Sequence, residues 1–231
     1  MKQHRFFVKD TELGESIWVD DKNLLRQWLS VLRYQTGSQL VLFDGEREDR
    51  LYELTRIGNG AVQLKLVTEL ERRIPERDLY LLFSLLKKDK NDWVLQKCTE
   101  LGVRHFVPIL SSRTEKTGFN LERAAKIVVE AAEQCGRSDV PRVREPIHLE
   151  TALKEFEGKI DLYFAEQSDH LLSTTSHLPS AVGVFIGPEG GWTEEEKELL
   201  AANCEKLNLG QFTLRAETAS IVAVSSLTWY K

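Results

Sequence analysis

With 231 residues, 42% hydrophobic and 29% charged side chains and a net charge of −5, the chain has the composition of an ordinary globular protein with a substantial core. Its three cysteines, Cys98, Cys135 and Cys204, are far apart in the sequence, which argues against a disulfide framework or a CxxC metal site. No apolar stretch approaches the length of a signal peptide or a membrane span, so we expect a cytoplasmic protein without a membrane segment.

The first third of the chain has the alternating apolar pattern of β-strands, interrupted by one helix at about Asp21 to Tyr34. A tight turn is predicted at Gly58-Asn59-Gly60, between the last two strands. The predicted strands are Arg5–Lys9, Ser16–Val19, Gln39–Asp44, Arg50–Ile57 and Ala61–Leu70. This part, residues 1–74, therefore predicts a small β-barrel domain, followed by a charged, proline-containing linker.

From residue 75 to 231 strands and helices alternate, a pattern that predicts an α/β domain with a parallel sheet between two layers of helices. The predicted strands are Leu79–Leu86, His105–Leu110, Asp161–Glu166, Ala181–Ile186 and Lys206–Leu209. The predicted helices are Asp89–Leu101, Asn120–Cys135, Thr151–Phe156, Thr193–Asn203 and Thr218–Tyr230.

The stretch from Phe185 to Thr193 is the most informative one in the chain. Its sequence, Phe-Ile-Gly-Pro-Glu-Gly-Gly-Trp-Thr, leads from a buried strand through a glycine-rich turn into a helix capped by Thr193 and Glu196. Such a turn exposes backbone N–H and C=O groups at the carboxyl edge of a sheet, where α/β proteins bind ligands. It lacks the Lys-Ser/Thr ending of a P-loop and the spacing of a dinucleotide fingerprint, so another small ligand is expected.

Three further segments accompany this turn: residues 96–103, Leu209-Gly210 and residues 214–219. Each has a structural explanation when taken alone. Gly191 and Gly210 could simply be turn residues, and Thr218 could be a helix cap. Lys97 and Glu100 could form a surface pair along one helix.

Taken in order, these segments resemble the SPOUT class of methyltransferases, and within it the 16S ribosomal RNA (uracil-N3)-methyltransferase family. The similarity extends over nearly the whole chain. The matching segments are His4–Phe7, Val31–Arg33, Gly37, Phe43–Gly45, Lys97–Val103, Glu130–Arg137, Pro141, Ile186–Gly191 and Leu214–Ala219.

This resemblance implies a PUA-like β-barrel that docks RNA, a C-terminal domain tied into a trefoil knot, and a homodimer. It also implies S-adenosylmethionine as the methyl donor, and 16S ribosomal RNA or the small ribosomal subunit as the partner. The positions expected to hold the donor are Ile186, Gly187, Pro188, Glu189, Gly190, Gly191, Leu209, Gly210, Leu214, Arg215, Glu217, Thr218 and Ala219.

Methyl transfer from a sulfonium requires alignment rather than a metal ion, and we expect none. The acceptor, N3 of uracil, carries a proton, so something must accept that proton or stabilise the resulting anion. Arg137 and Arg215 are candidates for stabilising the anion. Glu217 and Glu100 are candidate bases, and each could equally be a structural carboxylate.

RNA contact is predicted for four basic residues: Arg5, Arg33, Lys97 and Arg137. Two other functions remain open at this point. One is a non-catalytic RNA-binding or ribosome-assembly factor with a vestigial donor site. The other is a SPOUT enzyme that methylates another position of RNA, such as a ribose 2′-OH.

Overall fold

The computed structural model describes residues 3–9, 11–87, 89–115, 118–167 and 179–229. The chain divides into two compact units. One comprises Met1–Ile74 with Ala132–Val140, and the other comprises Pro75–Ala131 with Pro141–Lys231. Residues 132–140, which the sequence pattern places in the second domain, thus group with the first unit.

The first unit contains a five-stranded sheet in the order β1-β3-β4-β5-β2. Its strands are β1 (Arg5–Phe7), β2 (Ser16–Val19), β3 (Gln39–Phe43), β4 (Asp49–Gly58) and β5 (Ala61–Leu70). All pairings are antiparallel except β1 with β3. The predicted tight turn joins β4 to β5, with Asn59 and Gly60 at positive φ of 52° and 74°, as a two-residue hairpin requires.

The single predicted helix of this unit has two parts. Asp21 caps α1 (Lys22–Leu25) by accepting hydrogen bonds from two backbone amides, and a π-helix follows at Arg26–Val31. The wider turn is marked by the bond from Leu32 N to Gln27 O, and the segment ends at Arg33, whose φ is +56°. Trp28 is fully buried and packs edge-on against Phe6, with 5.4 Å between the ring centroids.

A buried polar network links β1 and β4 of this unit to residues 132–140. The side chain of Asp49 is fully buried, and its Oδ2 accepts from the Arg5 guanidinium and, at 2.6 Å, from the Ser138 hydroxyl. Ser138 also makes two hydrogen bonds with the backbone of Arg73: its N–H donates to Arg73 O, and its hydroxyl oxygen accepts from Arg73 N, both at 2.8 Å. Glu133 accepts from the backbone N–H of Phe7 at 2.8 Å. These bonds explain why the last turn of the helix ending at Cys135 belongs to the first unit.

The second unit has a parallel sheet in the order β12-β10-β11-β6-β7-β8, with β9 also paired to β7. Its strands are β6 (Asp78–Ser84), β7 (His105–Leu110), β8 (Arg142–Val143), β9 (Ile147–His148), β10 (Asp161–Glu166), β11 (Ala181–Ile186) and β12 (Glu205–Asn208). The predicted parallel α/β sheet is confirmed, and the two-residue strands β8 and β9 are additional to the prediction.

The helices are α2 (Lys90–Glu100), α3 (Leu121–Cys135), α4 (Leu149–Phe156), α5 (Glu194–Asn203) and α6 (Ala216–Trp229). Successive residues of β6 and β11 are buried, which means that both faces of the sheet are covered. Residues of α4 and α5 share one core cluster with Leu82 and Phe185, while α6 packs against β6, β11 and α2. None of the described helices is long and apolar enough to cross a membrane.

The helix α6 begins two residues earlier than its apolar pattern predicts. Its first bond runs from Ala219 N to Arg215 O at 2.8 Å, so Thr218 lies inside the first turn and is not the cap. This start places the amino end of α6 directly after the loop that follows β12, at the carboxyl edge of the sheet.

The buried Asp49 predicts a measurable loss of stability. Asp49→Asn should lower the free energy of unfolding by about 3 kcal/mol, because the Arg5 guanidinium would lose its counterion inside the protein. The matched control is Glu69→Gln, which breaks the partly exposed pair with Arg50 on the same strand and should cost less than about 1 kcal/mol. Urea unfolding of both variants measures the difference, and equal midpoints would contradict this role of Asp49.

Candidate functional site

A cavity of about 680 Å³ lies at the carboxyl edge of the parallel sheet in the second unit. This volume is within the usual range for small-molecule sites. Because β10, β11 and β12 are parallel neighbours, the loops that follow them meet there. The lining residues are Lys90, Ala165, Glu166, Gln167, Ile186, Gly187, Pro188, Glu189, Gly191, Trp192, Lys197, Leu209, Phe212, Thr213, Leu214, Arg215, Ala216 and Ala219.

The loop after β11 lies directly on the indole of Trp192. A Cβ added at Gly187 would stand 3.1 Å from two atoms of that ring, closer than an ordinary van der Waals contact, so a larger residue would require the indole or the loop to shift by a few tenths of an ångström. Gly191, at φ +68°, donates to Pro188 O at 2.9 Å and closes the turn. The predicted capping box of Thr193 and Glu196 is present and fixes the start of α5.

The loop after β12 forms the second wall. Gly210 has φ +103° and donates to the Asn208 side chain at 2.8 Å. Further along, the backbone amides of Leu214 and Arg215 make no hydrogen bond with another described residue. They precede the amino end of α6, where backbone N–H groups and the helix dipole favour an anionic ligand group.

Arg113 braces the loop after β11 from a neighbouring loop. Its Nη1 donates to Gly190 O at 2.8 Å and to Trp192 O at 3.2 Å. Next to it, Ser112 N donates to the Glu196 carboxylate at 2.7 Å. Arg113 was not among the residues predicted from the sequence to form the site. The one sequence feature that could have pointed to Arg113 is its position just after β7, which places it at the same edge of the sheet.

Lys90 joins two acidic residues at the cavity. Its Nζ lies 3.1 Å from Glu189 Oε1 and 3.4 Å from Glu217 Oε2. The hydrogen bond that Lys90 donates to the Glu189 carboxylate raises the pKa of Lys90. Burial alone would raise the pKa of Glu189, but hydrogen bonds from Lys87 N and Lys90 lower it below its ordinary value of 4.5. The contact is therefore present at neutral pH, and it weakens only as the pH falls below 4.5 through this lowered pKa.

Arg215 differs from the other charged side chains that line the cavity. Lys90 pairs with Glu189, Glu166 with Lys206, and Lys197 with Glu194. Arg215 is exposed and makes no ion pair with any described residue. Its guanidinium is therefore available to a ligand.

The structure brings together most of the residues that were predicted to hold the donor. Gly190, Gly210, Glu217 and Thr218 do not line the cavity, although the first two belong to its loops and Glu217 contacts Lys90. Lys90, Gln167 and Phe212 line the cavity without having been predicted. Lys90 could have been found, because it follows β6 in a basic run at the carboxyl edge of the sheet.

The remaining predicted residues lie elsewhere. Glu100 pairs with Lys97 at 2.8 Å near the end of α2, and it is ten residues beyond Lys90, about 15 Å along the helix. Arg33 is exposed at the end of the π-helix. Arg137 is 6% exposed and pairs through two nitrogens with Asp139 inside the first unit. Arg5 is held by Asp49. RNA contact by Arg5, Arg33, Lys97 and Arg137 stays a prediction.

Known proteins match this chain over nearly its full length. The family described as RNA methyltransferase domain matches residues 73–228, and the RNA methyltransferase PUA domain matches residues 29–67. The ribosomal RNA small subunit methyltransferase E of Rickettsia conorii is 31% identical over 98% of this chain and 96% of its own length. The protein of the same name from Bacillus subtilis is 31% identical over 87% of this chain and 85% of its own.

The crystal structure of a ribosomal RNA small subunit methyltransferase E from Neisseria gonorrhoeae, bound to S-adenosyl methionine, superposes with a TM-score of 0.88. It is 29% identical to this chain, and the match covers 97% of this chain and 96% of that one. Together with the two family matches, these similarities confirm the resemblance read from the sequence. The chain belongs to the ribosomal RNA small subunit methyltransferase E family.

Proposed function

We propose that this protein transfers a methyl group from S-adenosylmethionine to N3 of a uridine in 16S ribosomal RNA. The observation that carries the proposal is the cavity of about 680 Å³ formed by the predicted donor loops at the carboxyl edge of the sheet. The names of the relatives, the match to a PUA domain and the donor-bound Neisseria structure support the same activity.

The residues at the cavity suit this donor. The amides of Leu214 and Arg215, which bond no other described residue, offer two N–H groups to a carboxylate, and Gly187 lets the backbone approach closely. Trp192 Nε1 is buried and has no hydrogen-bond partner among the described residues. These N–H groups and the apolar side chains of Ile186 and Leu209 would hold the methionine and adenosine parts of S-adenosylmethionine.

When bound, S-adenosylmethionine would supply an electrophilic methyl group, and its sulfur would depart as a neutral thioether, so the leaving group would need neither an acid nor a metal. The task left to the protein is to place N3 of uracil in line with that methyl group. The hydrogen bonds from Arg113 and Lys90 serve this task, because they fix the loop after β11 from two sides. We assign Glu217 to the same positioning role, since it shares Lys90 with Glu189.

N3 lies on the base-pairing edge of uracil, so the target must be unpaired or extruded from its stack. As N3 loses its proton to water, negative charge spreads to the neighbouring oxygens of the ring. Arg215, exposed at the cavity and without an ion pair among the described residues, stabilises this charge. Arg215 is therefore the proposed catalytic residue.

The finer features implied by the family are also proposals: a homodimer, a cytoplasmic location and a trefoil knot in the second unit. The knot is supported by the path of the chain from the edge strand β12 to α6, which packs on the central strands β6 and β11. Residues 168–178, between β10 and β11, lie outside the described part of the chain.

Substitution of Gly187 tests the donor loop. Gly187→Ala should weaken S-adenosylmethionine binding by roughly tenfold or more, because the new methyl group would push the loop off Trp192. Gly190→Ala in the same loop is the control, since its Cβ would meet only the flexible Arg113 side chain at 3.4 Å. Calorimetry gives both dissociation constants. If the wild-type protein binds no S-adenosylmethionine, the non-catalytic alternative is favoured.

Arg215→Ala should lower kcat by about 100-fold or more, the usual effect of losing one group that stabilises a developing anion. Its pH–rate profile should shift to higher pH, because uracil must then ionise without help. Donor affinity should change little, and Arg215→Lys should recover part of the rate. Glu217→Gln should instead alter donor affinity. Unchanged turnover in Arg215→Ala would remove this residue from the mechanism.

The site of methylation can be read directly from ribosomal RNA. A strain that lacks this gene should lose one N3-methyluridine from its 16S ribosomal RNA, and purified protein should restore it. Mass spectrometry of nuclease fragments makes the measurement. An unchanged level of N3-methyluridine with the loss of a ribose 2′-O-methyl group would support the other SPOUT reaction instead.

A further inference from the structure

Phe212 presents an aromatic ring to solvent at the mouth of the cavity. Its side chain is 73% exposed, the largest fraction for a large hydrophobic residue in the described part of the chain. It also lines the cavity, on the loop between β12 and α6. An isolated exposed hydrophobic residue is ordinary, but one at a binding site marks a surface that a ligand covers.

The residues on both sides of Phe212 are hydrogen-bonded to one side chain, that of Gln167, which follows β10. Gln167 Nε2 donates to Gln211 O at 2.8 Å, and Thr213 Oγ1 donates to Gln167 Oε1 at 2.6 Å. Gly210, which precedes Gln211, has a backbone φ in the left-handed region, and its N–H donates to the Asn208 side chain. The ring is thus held outward by a loop that is hydrogen-bonded on either side of it.

The surroundings of Phe212 indicate which ligand would cover the ring. Arg215, three residues away, also lines the cavity and makes no ion pair with a described residue, whereas the other charged side chains of the lining, Lys90, Glu166, Glu189 and Lys197, are each paired. A flat apolar surface next to positive charge fits a nucleobase with its phosphate groups, because bases stack on aromatic side chains and phosphates pair with Arg and Lys.

We infer that Phe212 stacks on the face of the extruded pyrimidine and forms one wall of the acceptor site. This inference rests on the proposed function, and it adds a residue that holds the base rather than the donor. Stacking would retain the uracil ring in the cavity while Arg215 acts on its polar edge. Any nucleobase has a face that can stack, so Phe212 contributes affinity and orientation rather than the choice of base.

The test compares three substitutions of this exposed residue. Phe212→Ala removes the ring, Phe212→Leu keeps an apolar side chain without a ring, and Phe212→Tyr keeps the ring. Stacking predicts that Ala and Leu each raise KM for unmethylated 16S ribosomal RNA by about tenfold, whereas Tyr stays within about twofold of wild type. The matched control is Gln211→Ala, which keeps the carbonyl bound by Gln167 and should leave KM unchanged.

Three further measurements on the same proteins separate the outcomes. Calorimetry should give the same S-adenosylmethionine affinity for all variants, and sedimentation should give the same oligomeric state. Direct binding of the RNA by fluorescence anisotropy should follow the KM values. Wild-type KM and RNA affinity in Phe212→Leu would overturn the inference. A change in S-adenosylmethionine affinity alone would also overturn it. A change in sedimentation alone would overturn it as well, and would indicate that a second copy of the chain covers the ring.

The proposed function can fail separately. If wild-type protein forms no N3-methyluridine, that proposal is wrong, and the RNA-binding comparison of the Phe212 variants still decides whether the ring stacks on a base. If wild-type protein methylates RNA and the variants match it, only the stacking inference is wrong.

Discussion

The parallel pairing of β10, β11 and β12 is the constraint on which the site depends. Parallel neighbours end at the same edge of a sheet, so the loops that follow them must meet, however far apart they are in sequence. The pairings of Phe164 with Phe185 and of Glu166 with Asn208 fix this register. A shift by one residue would turn buried side chains outward, so the core and the cavity depend on the same alignment.

The loops at this edge are held in place by residues that follow other strands of the sheet. Arg113 follows β7 and Lys90 follows β6, and each bonds the loop after β11. Gln167 follows β10 and holds the loop after β12. Each loop of the site is thus bonded by a residue from a neighbouring strand end. Such support keeps binding groups in place before a ligand arrives, which reduces the entropy lost on binding.

The sequence was sufficient for features with a local cause. The glycine turn after β11 and the capping box of Thr193 and Glu196 depend on residues next to one another, and both were predicted. The parallel sheet followed from the alternation of strands and helices. The family resemblance then indicated which loops bind the methyl donor. It could do so because it depends on the order of the motifs along the chain and not on contacts between them.

Features with a non-local cause were not accessible in this way. The bond from Arg113 to Gly190 joins residues 77 positions apart, and no local pattern marks Arg113 as its donor. The burial of Arg137, which is 6% exposed, depends on packing within the first unit and becomes evident only once the chain is folded. The π-helix at Arg26–Val31 was predicted only as part of a helix, because its sequence pattern does not mark the wider turn.

The first unit is not one continuous piece of chain, and this affects how the protein can be divided. A fragment ending at residue 74 would keep all five strands of the β-sheet, but Asp49 would lack the Ser138 hydroxyl and Phe7 N would lack Glu133. Unmet polar groups inside a small domain cost much of its marginal stability. Recombination that exchanged only the gene's opening portion would therefore have to supply a compatible 132–140 segment as well, which ties the inheritance of the two regions together.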